Sequence, residues 1–391
     1  MYEEIKKELY EFSSLSSLSN EELSRLINSL FLKHNKGTYF DPTQREEIVN
    51  KIFSSIRGFA VLDELIADDD ITEIMVNRYD EIYIEKNGIM LLSDKKFDDE
   101  KELFDVIQRI VGKAGREVNL ANPIVDTRLS GGERVNIVLP PVSLTGALIT
   151  IRRFPKKRIT MADLIKRGSI SEEAAKFLER LVACKYNIFI SGGTSSGKTT
   201  FLNALSDFIP SNERIITIED SAELQITSLE NIVKMEARNA NTTGSGEITI
   251  RDLIRTSLRM RPDRIIVGEV RGAEALDMLN AMNTGHDGSL STGHANSSLD
   301  MLYRLETMIL ESGASFPLLA IRQHIASSID IIVHLSKDGE GRRHVAEISE
   351  VVGLRDGEIE LSSLYLYSRG TLERTDKQLM HKEKMEIYEK T

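Results

Sequence analysis

Residues 192–200 read GGTSSGKTT and follow YNIFIS, an apolar β-type run at 186–191. The spacing satisfies G-x-x-x-x-G-K-[ST] through Gly192, Gly197, Lys198 and Thr199. A buried strand that turns through glycines directly into a helix, here Thr199 to Phe208, leaves few folds open. The turn aims the amide N–H groups of Gly192, Gly193, Thr194, Ser195, Ser196, Gly197, Lys198, Thr199 and Thr200 at a phosphate. The helix adds its positive end, Lys198 places a charge on the β/γ oxygens, and Thr199 offers a hydroxyl to Mg2+. A Gly/Ser-rich turn could match by chance, but a strand before and a helix after argue against that.

Further runs of the same kind follow: RIITIED at 214–220, RIIVGEV at 264–270, GSLSTG at 288–293 and SIDIIVHL at 328–335. Strands alternating with helices predict a largely parallel α/β sheet covered by helices. Upstream the pattern differs. Residues 1–57 carry apolar residues at helical spacing, among them Leu23, Leu26, Ile27 and Leu30, and predict a helical extension that serves packing. Residues 58–151 predict a smaller α+β domain, with a hairpin turn at Asn87-Gly88, a helix over 101–110 and strands around Gly131-Gly132. The charged RRFPKKR stretch, with Pro155, makes 152–159 the expected linker to a final domain over 160–391.

Composition narrows the function. A length of 391 residues with 41% hydrophobic content allows two or three cores. The net charge of −11 opposes a general nucleic-acid footprint. Cys184 is the only cysteine, which excludes internal disulfides and thiolate-rich zinc sites and fits a reducing cytoplasm. The longest uncharged run, 135–151, is short and broken by Pro140-Pro141, so membrane contact is expected to be peripheral. The N-terminus lacks the features of a secretory signal.

Carboxylates at strand ends are the next requirement of phosphate chemistry. The 264–267 run ends in Gly268-Glu269, and the 214–220 run ends in Glu219-Asp220 with Glu223 beyond. One such acid can support a metal through water while the other orients or deprotonates an attacking water, and spacing does not divide the roles. No N-K-x-D motif follows the glycine loop. NKGT at 35–38 precedes it and ends in Thr38, which disfavours a GTPase. The triplet Thr-Gly-His occurs twice, ending in His286 and His294. Zinc binding lacks further ligands, and a serine-hydrolase arrangement lacks its strand-to-helix elbow. The remaining reading places His294 at the carboxyl end of a strand beside the glycine loop, near the γ-phosphate; His286 is the less secure candidate.

Taken in order, VDTRLSGGERVN, LITIRRF, GGTSSGKTT, TIEDSAEL and LRMRPDRIIVGEVRGAEALDMLNAMNTGHDGSLSTGHANS resemble the type II/type IV secretion ATPase superfamily over about 58–355. They are most similar to the CpaF branch, which powers Flp-type tight-adherence pili. The family usually has glycine at the place of Ser195. The resemblance implies a RecA-like P-loop domain, ATP hydrolysis with Mg2+ at Thr199 and Glu269, and catalytic roles for Lys198, Glu219, Glu269 and His294. It implies nucleotide contacts from Arg128, Arg134 and Arg152 of the smaller domain; Arg153 can be a solvated neighbour. Arg259, Arg261 and Arg271 flank the second acid, and subunit contacts or surface salt bridges are their alternatives. It further implies a cytoplasmic homohexamer acting on inner-membrane platform proteins, and indirectly on pilin, without nucleic acid. A conjugation-type secretion ATPase, a nucleic-acid motor on the same core and a scarcely hydrolysing nucleotide switch are the alternatives.

Overall fold

The computed structural model describes residues 1–10, 12, 15, 18–35, 39–86, 88–153, 158–238, 245–313 and 315–389. The chain forms two compact units, Met1–Lys157 and Arg158–Thr391. Asn87 of the expected hairpin turn, most of NKGT and residues 154–157 of the expected linker lie outside the described residues.

The first unit opens with helices α1 (Tyr2–Tyr10), α2 (Asn20–His34) and α3 (Pro42–Arg57). Ser19 and Asp41 start α2 and α3 with capping boxes, each side chain accepting a backbone N–H while Glu22 or Gln44 reaches back. Apolar stripes then close the three helices on one another through Ile5, Leu9, Leu23, Ile27, Phe31 and Ile52. Next come α4 (Val61–Ala67), β1 (Ile71–Arg78), β2 (Glu81–Lys86), β3 (Ile89–Leu92) and α5 (Glu100–Lys113). The unit ends with β4 (Ile124–Arg128), β5 (Arg134–Val138) and β6 (Leu148–Arg152). The six strands pair antiparallel in the order β3-β2-β1-β6-β5-β4. Alternation buries Ile74, Val76, Val135, Ile137, Ile149 and Ile151 with Val106 and Ile107 of α5. Buried Lys6 of α1 lies 2.7 Å from Asp98 and 2.9 Å from Glu102, which fastens the helical extension to the start of α5.

The second unit begins with α6 (Met161–Lys166), α7 (Glu172–Ala183), β7 (Ile188–Gly192), α8 (Lys198–Ser206), β8 (Ile215–Glu219) and β9 (Ile232–Glu236). It continues with α9 (Ile250–Ser257), β10 (Arg264–Val267), α10 (Glu274–Met282), β11 (Leu290–Gly293), α11 (Ser298–Glu311) and α12 (Leu318–Ser328). Last are β12 (Ile331–Lys337), β13 (Arg343–Arg355), β14 (Glu358–Ser368), β15 (Thr371–Arg374) and α13 (Glu383–Tyr388). The nine strands run in the order β15-β14-β13-β12-β7-β11-β10-β8-β9. From β12 to β9 every pairing is parallel; β13, β14 and β15 extend the sheet antiparallel. Neighbouring residues serve opposite cores. Ile188, Ile190, Ile266, Ile331 and Val333 face Leu178, Phe201 and Leu202 on one side. Phe189, Ile216, Ile218, Ile265, Val267 and Ile332 face Met278, Leu302 and Ile325 on the other. Burial on both faces is why these strands read as unbroken apolar runs.

The α/β class is therefore the expected one: a RecA-like domain with a largely parallel sheet, preceded by helices and a smaller α+β sheet. The antiparallel β13–β15 extension is an addition to that expectation. No described helix is long and apolar enough to cross a membrane.

Candidate nucleotide-binding site

Parallel register brings three strand ends to one edge. Gly293 of β11 lies opposite Ser191 of β7, and Val267 of β10 opposite Ser291 of β11. Beyond these ends come the glycine loop, Gly268-Glu269 and His294. The loop turns through Ser195 at φ 57° and Gly197 at φ 96° into α8, whose first residue is Lys198. Ser195 thus holds a left-handed conformation that favours glycine, a physical reason for glycine at this position.

Lys198 is buried, and its Nζ donates to the carbonyl oxygens of Gly192 (3.1 Å) and Gly193 (3.0 Å). It also lies 3.1 Å from His294 Nδ1, while His294 Nε2 lies 2.7 Å from Glu269 Oε1. The lysine has no lone pair when charged, so His294 Nδ1 accepts from it and Nε2 carries the ring proton. The approach of Nε2 to Glu269 Oε1 is a close polar contact without hydrogen-bond geometry, and that buried oxygen has no hydrogen-bond partner among the described residues. Burial lowers the His294 pKa, and the adjacent Lys198 charge lowers it further, so the neutral ring is the form this contact selects. Burial also lowers the Lys198 pKa, against the opposing pull of Glu269. The second oxygen of Glu269 accepts from Arg271 at 2.8 Å, and Arg271 reaches Asp220 at 3.7 Å. A row of polar contacts therefore runs from the glycine loop through His294 and Glu269 to Arg271, hydrogen-bonded at Lys198–His294 and at Arg271–Glu269.

Glu219 sits at the neighbouring strand end in a different setting. It is 3% exposed, and Oε1 accepts from the backbone N–H groups of Glu223 (2.8 Å) and Leu224 (2.9 Å). Burial pushes its pKa up to about 7 despite those two donors. A Cβ at position 268 would come within 3.0 Å of Glu219 Cγ, so Gly268 lets the two strand ends pack together. Glu219 thus anchors the turn 220–224, while Glu269 is the acid in contact with His294 and Arg271.

The two histidines separate. His294 directly follows β11 and His286 precedes it, so the strand holds them at opposite ends, about 13 Å of strand apart. The His286 carbonyl accepts from Ser289 Oγ at 2.7 Å. Among the described residues no group of three His, Cys, Asp or Glu side chains could hold a metal. The donor set suits Mg2+, which keeps several waters and takes few protein ligands beside phosphate oxygens. Thr199 is partly exposed in the first turn of α8. Ser196 adds a second sign of an anion: its Oγ is buried and has no partner among the described residues.

In the first unit the three expected arginines form one cross-strand row. Arg128 lies opposite Arg134, Arg134 opposite Arg152, and Arg152 opposite Glu73. Arg152 Nε lies 3.7 Å from Glu73 Oε1, and Arg128 and Arg134 have partners of their own. Arg153 differs. It is not solvated but buried, donating to the Asp68 and Ile71 carbonyls, the latter at 2.8 Å. Arg259 remains exposed, its guanidinium 3.4 Å from the Arg255 carbonyl. The contact of Arg271 with Glu269 was open in sequence, where surface pairing was its alternative; proximity of two residues in the chain was the available signal.

Fold and strand-end geometry define this chain as a protein with a RecA-like P-loop domain. The profile of the family described as "Type II/IV secretion system protein" matches residues 56–355, and the chain belongs to that family. Among its relatives, the conjugal transfer protein TrbB of Rhizobium radiobacter is 34% identical over 297 residues, covering 74% of this chain and 87% of TrbB. The type IV secretion system protein VirB11 of Brucella suis is 31% identical over 310 residues, covering 72% of this chain and 86% of VirB11. The solved structure of the Legionella pneumophila ATPase DotB shares the fold, with a TM-score of 0.53 at 22% identity over 74% of this chain and 79% of DotB.

Proposed function

We propose that this chain is an ATP-hydrolysing motor subunit of the CpaF type, working as a cytoplasmic homohexamer on the inner-membrane platform of a pilus or secretion machine. The observation that carries the reading is the Lys198, His294 and Glu269 chain at three neighbouring strand ends. A triphosphate competes with the Gly192 and Gly193 carbonyls for Lys198, because charged phosphate oxygens are the stronger acceptors. Once Lys198 turns to phosphate, His294 Nδ1 loses its donor, and the ring becomes free to turn and complete a hydrogen bond from Nε2 to the unpartnered Glu269 Oε1. His294 is thereby a reporter of the γ-phosphate. Thr199 and, through water, Glu269 would hold Mg2+, which neutralises charge on the phosphate oxygens. Glu269 is the proposed acid that orients water, and Glu219 a supporting acid beside it. Arg128, Arg134 and Arg152 are the proposed further source of positive charge for the equatorial oxygens.

A conjugation-type secretion machine is the second reading, favoured by the TrbB and VirB11 relatives. Purification from native cells in mild detergent separates the two: a polytopic platform protein with pilin supports the first, and conjugation proteins the second. The catalytic reading is tested by ATP turnover of the purified chain and of Lys198→Ala. Loss of one charge-assisted phosphate contact predicts a drop of at least about tenfold, up to about a hundredfold, in kcat/KM. Unchanged turnover in that variant, or none in the native chain, removes the motor reading. Sedimentation analysis with and without nucleotide checks the hexamer.

A further inference from the structure

The strand that carries the glycine loop has two parallel neighbours, and only β11 has entered the site so far. On the other side lies β12, with Leu335 opposite Gly192, and the β12–β13 hairpin continues past the loop. Lys337 and Arg343 are directly opposite one another at its mouth, so their side chains share one face. That face is the one turned to α8, since Leu335 and Val345, two residues inward on each strand, are buried with Phe201 and Leu202. A Cβ placed on Gly197 would sit 3.5 Å from Arg343 Cδ, so the arginine stem lies against the loop where it enters α8.

The hairpin treats its cations unequally. Asp338 builds the turn, accepting from the backbone N–H groups of Glu340 and Arg342 at 2.9 Å each. Arg342 is neutralised by Asp338 at 2.7 Å and Glu340 at 3.2 Å. Lys337 and Arg343 are exposed, and among the described residues neither side chain has an ion-pair or hydrogen-bond partner. Two like charges opposed across a ladder with no counter-ion are unfavourable unless an anion joins them. The buried, unpartnered hydroxyl of Ser196 in the adjacent loop points to the same kind of ligand.

We propose that Lys337 and Arg343 form a second phosphate-binding arm of the nucleotide site, gripping the α/β-diphosphate end shared by ATP and ADP. The inference rests on the nucleotide reading above and specifies which end of the ligand meets this hairpin. His294 and Glu269 lie on the β11 and β10 side of the loop, where the γ-phosphate is assigned. The hairpin lies across β7 from them and so meets the part of the nucleotide that hydrolysis leaves behind. Loop amides and Lys198 divide their donors among the phosphates, and two further cations balance a diphosphate that one lysine cannot. The arm is a binding and positioning element and takes no part in bond cleavage.

The test is equilibrium titration of the full chain with Mg-ADP, alongside kcat and KM for ATP, in Lys337→Ala, Arg343→Ala and Arg343→Lys. Each alanine variant should raise the ADP Kd about tenfold and the ATP KM in proportion, with kcat changed less than about twofold. Arg343→Lys should recover most of the affinity, which a structural role for the arginine stem would not predict. An ADP Kd equal to that of the native chain in both alanine variants overturns the arm while leaving the nucleotide site standing. So does a fall in kcat at unchanged Kd. Failure of the native chain to take up ADP overturns the site itself, and the arm with it.

Discussion

At the amino end of the central strands Arg264 is completely buried, with Glu213 accepting two of its guanidinium N–H groups and the Val182 and Gly288 carbonyls taking another at 2.7 and 3.3 Å. At the carboxyl end Lys198 is buried too, but it rests on two loop carbonyls and a neutral imidazole. The first network is closed: a bidentate ion pair with its remaining donors met inside the fold. The second holds a charge with neutral acceptors, beside a hydroxyl with no partner and a carboxylate shared with Arg271, which is 59% exposed. Closed charge networks fix a structure; open ones can exchange partners, which a binding site requires. The repeated Thr-Gly-His motif is divided between them. A Cβ on Gly288, at φ 81°, would meet Arg264 Nη1 at 2.5 Å, so the segment after His286 serves the closed end while His294 serves the open one.

The comparison is broken most severely by Arg264→Ala, which strands Glu213 in the interior. A loss of about 3–5 kcal/mol in urea unfolding is expected, whereas Glu269→Gln at the open end should change stability by less than about 0.5 kcal/mol. Equal losses in the two variants would erase the distinction between the ends.

Glu219 sharpens it next, because it is buried at the open end. Its folded pKa of about 7 lies above the ordinary value of 4.5, so the folded chain holds the proton more tightly than the unfolded one. Its favourable contribution is full below pH 4.5, falls as pH rises toward 7 and is gone above it. At about 1.4 kcal/mol per pKa unit, the loss approaches roughly 3 kcal/mol. Glu219→Gln should therefore unfold at higher urea than the native chain at pH 8, and with a flatter pH profile across that window. Parallel profiles for the two proteins would contradict the burial argument.

The smallest effect belongs to Ser195. Glycine there relieves roughly 1 kcal/mol of left-handed strain but loosens the unfolded chain by a similar amount. Thermal unfolding of Ser195→Gly should match the native chain to within about 0.5 kcal/mol. A larger stabilisation would mean that serine is held under more strain than its φ of 57° implies.

Much of this fold was legible because buried parallel strands have no polar face to interrupt them. The runs before Gly192, Glu219 and Glu269 each became a strand of the second unit, and the helix expected over Thr199 to Phe208 is α8, which starts one residue earlier at Lys198 and ends at Ser206. The antiparallel addition of β13–β15 was not legible, because its mixed, half-polar sequence has no strong period. Arg343 was invisible for another reason. Nothing in the charge spacing of DGEGRRHV, residues 338–345, shows that one arginine is neutralised by its own turn and the next lies against Gly197.

Sequence alone determined the local chemistry of this chain: which segment can wrap a phosphate, which strands carry acids at their ends, and which runs must be buried. Those follow from backbone freedom, side-chain charge and period, all encoded within a few neighbouring residues. Tertiary structure decided partnership. Strand order and register placed His294 between Lys198 and Glu269, set Arg128, Arg134 and Arg152 in one row, and turned Glu219 inward. Hydrogen bonds and desolvation act over a few ångströms of space, and distance along the chain does not report them.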